Sequence, residues 1–216
     1  MSIKIKICCI KNKQEANLVI KEGAFALGLV SQMPSGPGVI SDAQILSIQN
    51  AVGHSIETFL LTCETDTAAI IRHHQLFKTS TIQLVDTLQK GTYQDLRAAL
   101  PSVKLVQVIH VLDEASIEKA LAVGESVDYL LLDSGNPNLK VKVFGGTGKT
   151  HDWKISRKIV EQSSVPVFLA GGLQSDNVQR AIAEVQPFGL DLCSGVRTNG
   201  HLDPHKLEAF FKASRS

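Results

Sequence analysis

Two side chains in this sequence join acid–base chemistry to positions where chemistry is done. Cys8 falls near the end of the alternating segment 3–10, and Asp133 closes the apolar segment 127–133. A thiolate can take a proton from carbon, and a carboxylic acid can give one to oxygen. Both need a shifted pKa to do so near neutral pH. On strands of period two, Lys4, Lys6 and Cys8 share one face, as do Tyr129, Leu131 and Asp133. Lys6, one pleat below Cys8, is placed to favour its thiolate. Taken singly, Cys8 reads as a small buried apolar residue and Asp133 as a cap. Facing each other beside an anion site, they read as base and acid.

Three glycine-bearing segments supply that anion site: Gly145-Gly146-Thr147-Gly148, Ala170-Gly171-Gly172-Leu173 and Ser194-Gly195-Val196. Glycine lets backbone N–H groups come close to an anion, and a helix N-terminus adds partial positive charge. Each segment alone reads equally well as a tight turn; clustered at one end of a fold, they point to phosphate. Asp191 shares the face of Cys193. It has two readings, a structural ion pair with Lys6 or a contact with ligand.

Positioning these groups takes a repeated element. Strand-like segments fall at 3–10, 24–30, 56–62, 80–85, 104–111, 127–133, 166–170 and 190–193. Helical segments fall at 13–22, 41–51, 66–74, 93–100, 113–123, 152–162, 175–184 and 204–214. Ser41 or Asp42 caps the second helix, Asp113 caps the fifth, and Gly23 and Gly124 close the first and fifth. Eight strand–helix units predict a compact (β/α)8 TIM barrel, α/β in class, as a single domain over 1–216; a doubly wound open sheet is the alternative. Chemistry in such a barrel sits at the carboxyl ends of the strands. Those ends carry Cys8, Ser31, Thr62, Val85, His110, Asp133, Gly171 and Ser194.

Composition narrows the partners. The chain has 216 residues, 44% hydrophobic and 20% charged, with a formal net charge of +1. That balance disfavours nucleic acid or an anionic membrane as the main partner. No apolar run is long enough for a membrane span, and the N-terminus lacks a signal-peptide core. A cytoplasmic protein, monomer or homodimer, acting on a phosphorylated small molecule is expected. Cys8, Cys9, Cys63 and Cys193 show no disulfide or C-x-x-C pattern. Free thiols are expected. Zinc is not, because Cys8 and Cys9 as strand neighbours would point to opposite faces. His73, His74, His201 and His205 are expected to be solvated. His110 either lines the pocket or is a satisfied core histidine. Lys140, Lys142 and Lys149 either steer an anion or are simply solvated, and the long loop 134–150 is expected to act as a lid.

Together these residues resemble the phosphoribosylanthranilate isomerase family of tryptophan biosynthesis. The segments that carry the resemblance are Lys6-Ile7-Cys8-Cys9-Ile10, Leu131-Leu132-Asp133, the Gly145–148 run with Asp152-Trp153, Leu169-Ala170-Gly171-Gly172-Leu173 with Asn177-Val178, and Asp191-Leu192-Cys193-Ser194-Gly195-Val196. The resemblance implies an Amadori rearrangement of an N-(phosphoribosyl) aromatic amine from aminoaldose to aminoketose, with no metal and no cofactor. It implies Asp133 as the acid that opens the furanose ring and Cys8 as the base that takes the C2 proton. Gly146, Thr147, Gly148, Gly171, Gly172, Asp191, Ser194 and Gly195 would bind substrate, chiefly its phosphate.

The chain departs from the family pattern at the aromatic end of the pocket. Cys9 stands where the family has glycine, and Gly38 where it has an arginine expected to meet the anthranilate carboxylate. Gln83-Leu84-Val85-Asp86 replaces Gln-Leu-His-Gly, and Arg197 replaces an acidic residue. Arg197 has two readings, a substitute clamp for the carboxylate or a solvated surface residue. The alternatives to the family reaction are an isomerase of another phosphorylated aminosugar and a non-catalytic phosphate-ligand-binding barrel.

Overall fold

Eight β-strands alternate with eight α-helices because apolar segments of period two alternate with amphipathic segments of helical period. The computed structural model describes residues 3–34, 36–135 and 150–215. The strands are β1 (Lys4–Ile7), β2 (Ala26–Val30), β3 (Glu57–Thr62), β4 (Thr81–Leu84), β5 (Lys104–His110), β6 (Tyr129–Asp133), β7 (Val167–Leu169) and β8 (Gly189–Leu192). They pair in parallel, in sequence order, and β8 closes on β1, so the sheet is a closed barrel and not the open alternative. The helices are α1 (Lys13–Lys21), α2 (Asp42–Val52), α3 (Thr67–Phe77), α4 (Tyr93–Ala99), α5 (Ala115–Gly124), α6 (Trp153–Gln162), α7 (Val178–Val185) and α8 (Pro204–Arg215). No helix among the described residues is long and apolar enough to cross a membrane.

Alternation along each strand builds two cores. Leu130 and Leu132 of β6 face the helices with Ile5, Ile7, Leu27 and Ile109, whereas Leu131 faces the barrel interior with Phe59, Val106, Val108 and Phe168. The interior floor is aromatic. Phe168 is fully buried, and its ring centre lies 5.4–6.2 Å from those of Phe25, Phe59, Tyr129 and Phe188. Truncating such a ring to alanine typically costs about 3–5 kcal/mol. A plugged floor leaves the other end, the mouth at the strand carboxyl ends, for the polar groups.

Element ends differ from the sequence expectation for local reasons. β8 starts at Gly189, one residue early, since an added Cβ there would lie 2.5 Å from the Phe168 ring; only glycine lets the strand pass. α7 starts at Val178 because Asn177 first closes a turn, accepting from the Gln174 amide and donating to Gly172 O, both at 2.9 Å. α5 starts at Ala115, whose amide donates to the Asp113 carboxylate at 3.0 Å. Ser41 is the cap of α2, in a reciprocal capping box with Gln44. α3 runs on to Phe77 and ends at Lys78 in the left-handed region, φ 53.

This extension corrects one histidine. His74 is buried, not solvated, and its Nε2 meets Thr79 O at 2.8 Å; burial pushes its pKa down, outweighing that hydrogen bond. His73 is half-buried beside Asp42, while His201 and His205 are exposed. A short antiparallel pair, β9 (Arg197–Thr198) with β10 (His201–Leu202), follows β8 and had no signal in the sequence.

Candidate active site

A pocket opens at the carboxyl ends of the strands. Cys8 and Asp133 both line it, as do Gly171, Gly172, Asp191, Ser194 and Gly195. Gly146, Thr147, Gly148 and the three loop lysines lie outside the described residues, as does most of the expected lid. Of the other strand-end groups, Val85 lines the pocket. Ser31 instead donates to Leu61 O at 2.6 Å, and Thr62 accepts from the Glu64 amide at 3.1 Å. His110 turns to the sheet, with Nε2 3.2 Å from Val85 O, so it follows the core reading.

The polar interior is organised around Lys6. The β1–β8 register sets Lys6 opposite Asp191, and Lys6 Nζ meets Asp191 Oδ1 at 2.8 Å although the lysine is fully buried. Burial resists the ammonium charge, but Asp191, followed by Cys8, raises the Lys6 pKa above its ordinary value. Burial likewise pushes the Asp191 carboxyl up against the pull of Lys6. The raised ammonium is the direction that fits a 2.8 Å contact with a carboxyl oxygen. Asp191 also lines the pocket, so its two readings hold together: it pairs with Lys6 and it borders the ligand space.

Asp133 is buried at the end of β6. Desolvation pushes its pKa up to about 6, against the amides of Ser134 and Gly135, which stabilise the carboxylate; the Asp191 charge pushes it further up. A carboxyl group that holds its proton to about pH 6 is suited to give it to a substrate oxygen.

β1 ends at Ile7, and this changes the expected geometry of the two cysteines. Cys9 takes φ 65, so its side chain does not alternate away; Cys8 and Cys9 both face the mouth. Gly38 makes room for this. An added Cβ there would overlap Cys9 Cβ and lie 2.9 Å from Cys9 Sγ. Positions 9 and 38 are thus sterically linked: the Cys9 side chain fills the space that a side chain at position 38 would use.

Glycine is required at the rim for contact as well as conformation. Gly171 and Gly172 have φ of 85 and 62, and a Cβ on Gly171 would sit 3.0 Å from Ser134 Oγ. A Cβ on Gly195 would overlap Leu173 O. Gly171, Gly172, Ser194 and Gly195 all line the pocket. Val30, Met33, Leu61, Val85, Val108 and Leu131 give the pocket an apolar lining.

Arg197 follows neither of its expected readings. It is buried outside the pocket lining and holds Glu15 through two contacts of 3.1 and 3.0 Å. It also donates to Cys8 O, to Cys9 O at 2.5 Å and to Gly200 O. A guanidinium so committed cannot clamp a substrate carboxylate; it braces the backbone that carries Cys8. Burial resists the Glu15 charge, but Arg197 and the Lys11 and Leu202 amides hold its pKa below the usual carboxylate range.

Gln83 was missed. It is buried, lines the pocket, and its Oε1 accepts no hydrogen bond within the described protein. Period two was the available signal, since Gln83 shares the face of Val85.

The family model for N-(5'-phosphoribosyl)anthranilate isomerase matches residues 5–213. A curated N-(5'-phosphoribosyl)anthranilate isomerase of Nostoc punctiforme is 33% identical, the match covering 97% of each chain. The isomerase 2 of Methanosarcina mazei is 34% identical over 99% of this chain and 95% of its own. The crystal structure of the phosphoribosyl anthranilate isomerase of Thermotoga maritima superposes with a TM-score of 0.82 at 26% identity, covering 99% of this chain and 98% of that one. A phosphoribosyl anthranilate isomerase solved in complex with reduced 1-(o-carboxyphenylamino)-1-deoxyribulose 5-phosphate shares the fold, with a TM-score of 0.79 at 23% identity over 99% and 98% of the two chains. With its closed barrel and a thiol and a carboxyl group at one mouth, the chain belongs to the N-(5'-phosphoribosyl)anthranilate isomerase family.

Proposed function

We propose that this protein converts N-(5'-phosphoribosyl)anthranilate to its 1-deoxyribulose 5-phosphate aminoketose. The observation that carries the reading is the Asp133 carboxyl, held protonated to about pH 6 in the pocket that also presents Cys8. Protonated Asp133 gives its proton to the furanose ring oxygen. The C1–O bond breaks, and the nitrogen lone pair forms the C1=N bond of a Schiff base. Cys8, as thiolate, removes the C2 proton, and the C2–H electrons form the enolamine. Gain of a proton at C1 and loss of the C2 hydroxyl proton then give the ketone. Acid–base groups of this kind supply about 10²–10⁴-fold each.

Phosphate would rest on the N–H groups of Gly171, Gly172, Ser194 and Gly195, with Gly146, Thr147 and Gly148 as further donors. That remote binding energy would hold C1 and C2 between acid and base. Asp191 borders the sugar space while its pair keeps Lys6 charged beneath Cys8. Gln83 Oε1 would accept from a substrate N–H or hydroxyl. The relative bound to a reduced product analogue supports the same kind of ligand for this fold.

Loss of substrate fluorescence on mixing with purified protein tests the proposal. Turnover that Cys8→Ser and Asp133→Asn each abolish supports it. An inert wild-type protein rejects it.

A further inference from the structure

Beside Cys8 the rim carries two thiols that the isomerisation does not use. Strand register places one of them. Ile7 pairs with Leu192, and the Cys8 amide donates to Leu192 O at 2.7 Å, so the next step brings Cys8 opposite Cys193. Paired strands lie about 4.8 Å apart, so Cys193 borders Cys8 and the residue that follows it. Backbone conformation places the other. With φ 65, Cys9 turns to the mouth, its Sγ 3.4 Å from Pro37 O and within hydrogen-bond reach of Cys8 and Cys193. All three line one pocket, all are free, and Cys193 is partly exposed.

Contact between Cys9 and Cys193 divides their roles. Interaction with Cys9 favours the Cys193 thiolate and lowers its pKa against burial, and the Arg197 charge adds to this. The same contact raises Cys9. One thiol is thereby prepared to react with an oxidant and its neighbour to resolve the product.

We propose that Cys9 and Cys193 form a peroxide-sensitive modification site that reversibly shuts the adjacent catalytic mouth. The Cys193 thiolate attacks one peroxide oxygen. The O–O bond breaks, the leaving oxygen takes a proton and departs as water or alcohol, and Cys193 becomes a sulfenic acid. Cys9, losing its proton to solvent, attacks that sulfur. The S–O bond breaks, water leaves, and a disulfide remains. Two electrons have passed from the sulfurs to the peroxide, and a dithiol reductant returns them by exchange.

Bridging draws the sulfurs to about 2.05 Å and pulls the β1 rim toward β8. Cys8 precedes Cys9 and Ser194 follows Cys193, so the base and the phosphate shelf both shift. A displacement of about 1 Å at reacting groups costs on the order of a hundredfold. The effect on turnover rests on the isomerase reading; the bond itself does not.

The test treats the full chain with hydrogen peroxide and maps peptides without reduction. A Cys9–Cys193 bridge should appear, lighter by about 2 Da for the two hydrogens lost. Turnover should fall by about tenfold or more, and dithiothreitol should restore it. Cys9→Gly, which relieves the positive φ, and Cys193→Ser should keep turnover before peroxide, form no bridge and show no dithiothreitol-reversible loss. An unbridged map, sulfinic acid on Cys8 as the sole product, or a bridged protein with undiminished turnover would overturn the proposal. A bridge formed in a protein that never turns over the substrate supports the modification site and overturns the isomerase reading.

Discussion

Replacing Asp133 with asparagine should abolish turnover and at the same time stabilise the fold. Burial lifts the carboxyl from an ordinary 3.8 to about 6 in the folded protein. At about 1.4 kcal/mol per tenfold change in acidity, that rise is worth roughly 3 kcal/mol. The sign follows from proton counting. Between pH 3.8 and about 6 the folded state holds the Asp133 proton and the unfolded state has released it. Stability therefore falls as pH rises through this window and stays reduced above it. Asparagine has nearly the same shape, can accept from the Ser134 and Gly135 amides, and carries no charge to bury. Urea unfolding of wild type and Asp133→Asn from pH 3.5 to 8 reads the difference. The variant should match wild type in acid and exceed it by about 3 kcal/mol above pH 6, an increase of roughly 6–12 °C in Tm for a chain of this size. A variant no more stable at pH 7 than at pH 4, relative to wild type, would refute the claim that Asp133 is strained by its own charge.

Other consequences can be checked independently. Since the acid must be protonated, kcat/KM should bend downward above a pH of about 6, and a flat profile from 5 to 8 would oppose Asp133 as the acid. Arg197→Ala strands Glu15 and should cost about 3–5 kcal/mol, whereas Glu15→Leu with Arg197→Met should recover most of it. Because folding lowers the Glu15 pKa, this stabilisation is present above the ordinary carboxylate range, and urea titrations should show it fading as pH falls through the lower folded value. Gly38→Ala should cost about 1–3 kcal/mol by overlap with Cys9, and Cys9→Gly should reduce that penalty; an unchanged penalty in the double variant would contradict the steric link.

Periodicity carried much of the site. Alternation put Lys6 with Cys8 and Leu131 with Asp133 on inward faces, and the order of segments placed both groups at one end of a closed barrel. What alternation cannot express was lost. Cys9 leaves the strand in a left-handed conformation, so a rule of opposite faces failed there. Arg197 and Glu15 are 182 residues apart, and nothing local in either position signals a buried pair. His74 reads as a surface residue when α3 is taken to stop there, because its ring is buried by the turn that continues to Phe77. Gln83 was legible by its spacing from Val85 but carries no obvious chemistry until its unpartnered oxygen is seen against the pocket.

Isotope incorporation tests the central assignment most directly. Turnover of N-(5'-phosphoribosyl)anthranilate in D2O, followed by NMR, should yield an aminoketose with one solvent deuteron at C1 and no hydrogen retained at C2, and neither Cys8→Ser nor Asp133→Asn should form it. Product made by either variant at the wild-type rate, or no product from the wild-type protein, would contradict the assignment of this thiol and this carboxyl group as the proton carriers.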